Sequence, residues 1–576
     1  MMAVENTRHP LRPASEVMKL ERIGAFRLTS LSFLRILMRH MMRENWTITC
    51  TAFELDDEGH GHAIYSVQTP THDFSFLAIS TKISDEERSD RVISQKWDVT
   101  FSLSEGTITD EKLNRMKENL PKQEAGRGDA ADLVWSRANK SNRIFDYVID
   151  CLIAKEQPDP KILNEVGYLL RTTAVYGNGK FGIAPYEKMK DNHPFNGPFQ
   201  AQMFAVYMLR HFSFDLVEHI AKRRDPEAVS LDPEVKRFIG TGNATGLGMA
   251  PFLISHPRLI HQWIYVREKA IARVKDIKPT QDDLMLLIHW LDRVANYFDE
   301  SRLIDRQIFV KPEKLAEQSR FLKERVLEYL EVGTFAGIPT NDVWEGLSET
   351  AAETVSIEMQ ELLHTVLLEI YADHVIDLEQ CMNVEETYQI VPRMTIQELK
   401  NLINYQYQWA FQYDFTDPDE KYYFWYRSEE KEEPRLGVRG EEPGDDREMP
   451  MNIAEQVQGL YEILQHAPPE EMVASFILRH PRYKGIIQRI QSLDGYEYGE
   501  IQANLLSKDM MPLHLLRCKL SFFGAERFNP KSNRWVRITL FQGAPLVEEI
   551  GEPFPDNWVF PHLPTIEGDK HESSTK

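Results

Sequence analysis

The spacing of apolar residues changes several times along the chain, and each change predicts an element. Residues 24–43 (GAFRLTSLSFLRILMRHMMR) place apolar side chains at three- and four-residue intervals, which predicts a helix with arginines on its outer face. At Trp46 the period drops to two. WTITCTAFELDDEGHGHAIYSV (46–67) predicts two strands joined by a DDEGHG turn. FSFLAIS (74–80) and WDVTFSLSEG (97–106) continue the alternation, so an antiparallel sheet of about four strands is expected.

Helical spacing returns at 109 and persists to about residue 412. ADLVWSRANKSNRIFDYVIDCLIA (131–154) predicts one long amphipathic helix or two. PDPKILNEVGYLLRTTAVYG opens with proline where a first helical turn tolerates it. The stretch 199–224 is apolar on most sides, which predicts a buried helix, and 249–277 predicts a helix broken or kinked at Pro257. Further helices are expected over 280–305, 312–331, 350–377 and 394–412, without the fixed period of a solenoid. After 453–465 and 469–493, again helical, the chain turns extended. RCKLSFFGAERFNPKSNRWVRITLFQGAPL (517–546) predicts two strands around an FNPKSN turn. An isolated hairpin is marginal in water, so this one joins the N-terminal sheet or caps the helical body.

The expected fold class is therefore α+β, predominantly α-helical: a large central helical domain with an N-terminal antiparallel sheet and a C-terminal hairpin that joins it. The expected division is a mobile 1–22, a helix-plus-sheet region 23–108, and a main helical domain 109–412. An aromatic and acidic loop (413–450), helices and hairpin (451–565), and a mobile tail (566–576) follow. The loop concentrates aromatics at Tyr422 to Tyr426, where they serve a lid or anchor a solvated connector.

Two glycine-rich stretches interrupt the helical pattern: RTTAVYGNGKFG (171–182) and GTGNATGLG (240–248). Glycine costs a helix about 1 kcal/mol against alanine, so such clusters mark positions where backbone conformation matters. Neither is a nucleotide motif. A phosphate-binding GxxxxGK[ST] loop would need glycine where Ala174 stands and a hydroxyl where Phe181 follows Lys180. GTGNATG has GxGxxxG spacing and follows a charged helical pattern instead of a buried strand. The physics beneath those motifs remains, because glycine turns and helix N-termini bring backbone N–H groups to phosphate or carboxylate.

The side chains around the two stretches fit that chemistry. Arg137, Asn139, Lys140, Arg171, Asn243 and Thr245 are the candidate anion-binding residues, and Lys180, Tyr176 and His256 the candidate proton carriers. Each has a bland counterpart: glycines that let elements pack closely, cations paired with surface carboxylates, and a histidine at a helix end before proline. His60 and His62 could chelate a metal at HxH spacing, but no carboxylate or thiol cluster beside them supports it, and no metal is expected.

Composition narrows the partners. Over 576 residues the formal net charge is −22, which argues against nucleic acid or a membrane surface as the main partner. Cys50, Cys151, Cys381 and Cys518 lie far apart without CxxC spacing, as in a reducing compartment. The N-terminus lacks the apolar core of a secretory signal and carries Glu5, Glu16 and Glu21 against a transit peptide, so a cytoplasmic location is expected. The functional expectation is a soluble metabolic enzyme acting on a small carboxylate- or phosphate-bearing molecule by proton transfer, as a lyase, isomerase or decarboxylase does. The alternatives are a non-catalytic helical interaction protein and an oxidoreductase with a bound organic cofactor. The sequence leaves open whether haem, flavin or another cofactor is held.

Overall fold

Nine strands form one sheet in the order β1 (Thr47–Leu55), β2 (Gly61–Gln68), β3 (Asp73–Ser80), β4 (Val99–Glu105), β5 (Asp132–Lys140), β6 (Tyr168–Thr172) and β7 (Gly240–Gly246), then the C-terminal hairpin Trp535–Leu540 and Arg527–Ser532. This computed structural model describes residues 8–84, 86, 96–119, 131–172, 189, 193–246, 252–300, 310–333, 342–384, 390–417, 425–427, 434–436, 449–450, 453–502, 513–525, 527–532, 535–554 and 558–565. The fold is α+β and mainly helical, as the periodicity predicts. The chain divides into two units. One comprises 1–27, 247–284 and 328–520, and the other 28–246, 285–327 and 521–576.

The second unit holds the sheet. β1 to β6 pair antiparallel in sequence order, and the hairpin joins the far side of β7, with Thr241 opposite Leu540 and Asn243 opposite Ile538. β6 and β7 are the parallel pair, and the crossover between them contains the long helix Gln200–Arg224. That helix is buried around most of its circumference, as its apolar composition predicts. It packs on the sheet face formed by Tyr65, Phe76, Phe101 and their neighbours. Tyr65 Oη donates to Asp215 Oδ2 (2.6 Å), and Thr241 Oγ1 donates to the Val206 carbonyl (3.1 Å). Part of the opposite face is covered by the helix Asp110–Asn119, through Leu113 and Met116 on Leu77 and Ile79.

The other unit is built from helices. Its N-terminal residues carry the short turns Ala14–Val17 and Leu20–Ile23, and its body includes Pro257–Lys275, Val343–Thr354, Ile357–Ile370, Ile396–Gln406, Ile453–Gln465 and Lys484–Ser492. Local chemistry starts these helices where it should: Thr395 and Glu398 form a reciprocal capping box, and Ser356 caps Ile357–Ile370. The Ser356 cap divides what the apolar spacing over 350–377 reads as one helix. Three two- and three-residue strands (Trp425–Arg427, Pro434–Leu436, Met449–Pro450) form a small antiparallel sheet in the 413–450 loop. The remaining expectation for that loop, a lid role for Tyr422 to Tyr426, falls largely outside the described residues.

Three expectations are corrected. Residues 132–140 are a strand, with a helix only at Phe145–Ile153. A strand covered on both faces loses the apolar–polar alternation, so Leu133, Val134 and Ala138 imitate helical spacing. Residues 517–523 lie in the helix Leu513–Phe523, and only 527–540 form the hairpin. The glycine stretches are not turns between helices where they are described: Tyr168–Thr172 and Gly240–Gly246 are neighbouring strands.

The glycines of β7 answer to packing. A Cβ on Gly242 would lie 2.5 Å from the Tyr168 ring, and one on Gly240 would collide with the Leu540 carbonyl oxygen. Glycine in a strand weakens it unless another group must come close, and here two do. Gly242→Ala is expected to cost about 1–3 kcal/mol, because the obstruction is a buried ring that must shift. Urea unfolding measures this, and a loss below about 0.5 kcal/mol would contradict the packing.

Candidate functional site

Pairing across β5, β6 and β7 sets the candidate anion residues in register. Asn139 is opposite Arg171, and Arg171 is opposite Gly242. Paired residues share a face of a sheet and alternate residues return to it, so Arg137 lies on that face too. The two glycine-marked parts of the chain therefore meet, as adjacent strands. Their meeting follows from topology: a parallel pair joined through a long helix brings residues 70 apart in sequence, such as Arg171 and Thr241, onto one short span of sheet.

This face is polar and tightly held. The Arg137 guanidinium lies over the Trp97 ring at 4.8 Å, a cation–π arrangement that fixes its plane. Asn139 Oδ1 accepts from the Asp98 amide (3.1 Å), and Asp98 Oδ2 accepts from the Lys140 amide (3.0 Å). Thr172 Oγ1 donates to the Arg137 carbonyl (2.8 Å), tying β6 to β5 beside the two arginines. Arg171 is 3% exposed, so its guanidinium is held out of bulk water. Tyr168, over Gly242, adds an aromatic wall that the sequence reading missed, because its partner is a residue without a side chain.

The other candidates are placed elsewhere. Lys140 is on the alternate face, its Nζ 4.9 Å from the Phe145 ring centroid. Asn243 points with Thr241 toward the helix Gln200–Arg224. It is fully buried, and neither amide atom has a hydrogen-bond partner among the described residues. Thr245 is opposite Val536 in the same strand. His256 belongs to the other unit, where it occupies the N-cap position of Pro257–Lys275 without a side-chain capping bond. Tyr176 and Lys180 lie outside the described residues. His60 and His62 lie near Asp56, Glu58 and Glu54, and among the described residues no group of three or more ligating side chains forms a metal site. No helix among the described residues is long and apolar enough to cross a membrane.

Sequence reasoning missed a buried charged cluster in the helical unit. Glu268 accepts from Arg12 Nε and Nη2 (both 2.7 Å), and Glu361 accepts from Arg12 Nη1 (2.7 Å), Arg22 Nη1 (2.9 Å) and Arg267 Nη2 (2.6 Å). Burial pushes the Glu361 carboxyl up, but Arg12 and Arg267 outweigh it and hold it well below the usual range. The available signal was Glu361 and His364 interleaved with Met359, Leu362, Leu363, Val366 and Leu367 in a helix buried almost all round.

Two buried histidines give this unit a pH dependence. Burial, then Arg12, lowers His364 to about 4; burial, then Arg258, lowers His261 to about 4. Unfolded histidine titrates near 6.5, so between about pH 4 and 6.5 the unfolded chain binds more protons than the folded one. Stability is complete above about pH 6.5 and falls as pH drops toward 4, by roughly 3 kcal/mol for each histidine. Urea midpoints at pH 7 and 5 measure this. A pH-independent midpoint would contradict the buried, neutral state of both rings.

No protein family, no curated protein and no solved structure matches this chain.

Proposed function

We propose that the β5–β7 face binds a small anion, a carboxylate or phosphate, and that the protein is a metabolic enzyme acting on such a molecule. The observation that carries this reading is the single row Asn139, Arg171 and Gly242, with Arg137 two residues along β5. Arginine presents a planar fork that matches carboxylate and phosphate, and it is worth most where water is excluded. Asn139, already held by the Asp98 amide, is placed to orient a neutral part of the ligand through its Nδ2. Proton transfer as a lyase, isomerase or decarboxylase performs it remains the reaction class we favour. Lys180 and Tyr176, which follow β6 directly in sequence, are the residues proposed to move the proton. His256 lies in the other unit and is the weaker candidate for that role.

A thermal-shift panel of carboxylates, phosphates and nucleotides tests the binding. A ligand at 100 times its Kd adds about 2.7 kcal/mol of stability, and Arg137→Ala should abolish the shift. No shift with any anion, or an equal shift in the variant, would remove this reading. A non-catalytic interaction protein is the second reading, favoured by Tyr405 (71% exposed) and Leu478 (84% exposed), large side chains left in solvent on the helical unit.

A further inference from the structure

The Arg12 contacts form a slot built for one chemical group. Glu268 meets the Nε–Nη2 edge of the guanidinium with both oxygens, and Glu361 meets Nη1. Both carboxylates are almost fully buried, at 1% and 0% side-chain exposure. They project from different helices, Pro257–Lys275 and Ile357–Ile370. Arg267, on the first of these helices, reaches Glu361 at 2.6 Å and Glu268 at 3.2 Å, and its guanidinium lies over the Phe26 ring at 4.0 Å. Among these three helix-borne groups there are two negative charges and one positive. The slot needs one more cation, and its geometry asks for a planar fork instead of a point charge.

The group that fills it belongs to the N-terminal arm, residues 8–23, whose Val17, Met18, Leu20 and Ile23 are fully buried. Polar contacts add to this burial: Arg8 pairs with Asp276 and Asp342, Tyr498 Oη donates to the Arg12 carbonyl (2.6 Å), and Gln502 Nε2 donates to the Ala14 carbonyl (3.1 Å). Arg22 adds bonds to Gln360 and Glu361 while pairing with Glu16 of the same arm at 3.2 Å. The arm's own Arg22–Glu16 pair is close to neutral, so Arg12 is the charge the slot lacks.

We propose that the Glu268–Glu361 slot is a guanidinium-recognition site, selective for a planar fork over an ammonium, with Arg12 as its intramolecular ligand. This site is independent of the anion face, so either proposal can fail without the other.

Chemical rescue of the full-length chain tests it. Arg12→Ala lowers the melting midpoint. Guanidinium on the order of 10 mM, far below denaturing concentrations, recovers roughly half or more of that loss in a saturable way, as does N-acetyl-arginine amide. Methylammonium and N-acetyl-lysine amide at the same ionic strength do not, wild type shows no rise, and Glu268→Gln added to Arg12→Ala removes the rescue. Should Arg12→Ala not fold unaided, refolding yield with and without guanidinium reads the same difference. Equal rescue by methylammonium, an equal response in wild type, rescue that survives Glu268→Gln, or no rescue at all would overturn the proposal.

Discussion

Arg12→Ala is expected to destabilise the helical unit by about 3–5 kcal/mol, the loss found when one member of a buried ion pair is removed. The cost comes from what is left behind. Glu361 keeps Arg22 and Arg267, but Glu268 loses its two-pronged partner and among the described residues retains only Arg267 Nη1 at 3.2 Å. A carboxylate that is 1% exposed cannot recover that loss from water. Adding Glu268→Gln should therefore return more than about 1 kcal/mol, since it removes the stranded charge. The measurement is urea unfolding of both single variants and the double variant. Purely additive losses would contradict the coupling.

Arg210→Met is expected to cost about 3–5 kcal/mol in the sheet-bearing unit, for a different reason. Arg210 is 2% exposed and forms no ion pair among the described contacts. Its donors instead satisfy backbone carbonyls: Nε reaches Ile239 (2.7 Å), Nη1 reaches Pro545 (3.1 Å), and Nη2 reaches Lys236 (3.0 Å), Arg237 (3.0 Å) and Ala544 (3.1 Å). These carbonyls close the end of the helix before β7 and the turn after the C-terminal hairpin. Methionine fills the volume but removes the donor from the Lys236, Ile239 and Ala544 carbonyls, at roughly 1–3 kcal/mol for each group that stays dry, while Pro545 keeps Tyr207 Oη and Arg237 keeps the Gly543 amide. Burial lowers the guanidinium only to about 10, so the side chain stays charged near neutral pH. Thermal and urea unfolding of Arg210→Met read the loss, and a change below about 1 kcal/mol would mean that water reaches those carbonyls.

Legibility in the sequence followed burial on one face or two. β1 to β4 alternate well enough to be seen, the helix at 200–224 shows itself by a long apolar run, and those at 281–300 and 312–332 by period. β5, β6 and β7 did not. β5 is covered on both faces, and Gly240–Gly246 contains no large apolar residue, because its neighbours Tyr168 and Leu540 occupy the space side chains would need. Glycine clustering at 240–248 suggests a turn, but Gly240–Gly246 is a strand. Arg137, Asn139 and Arg171 share one face of β5 and β6, whereas Lys140 and Asn243 lie on the other, an alternation that helical spacing does not supply. Apart from Glu361 and His364 in a buried helix, the Arg12 cluster leaves no local pattern: its members at 12, 268 and 361 are joined by tertiary folding.

The central claim, that the row on β5 and β6 grips an anion through a guanidinium fork, is tested most directly by calorimetric titration. The anion giving the largest thermal shift is titrated into wild type and into Arg171→Lys, which keeps the charge and removes the fork. The account predicts affinity at least about tenfold weaker in Arg171→Lys, a difference of about 1.4 kcal/mol. An unchanged Kd in the folded variant would contradict it.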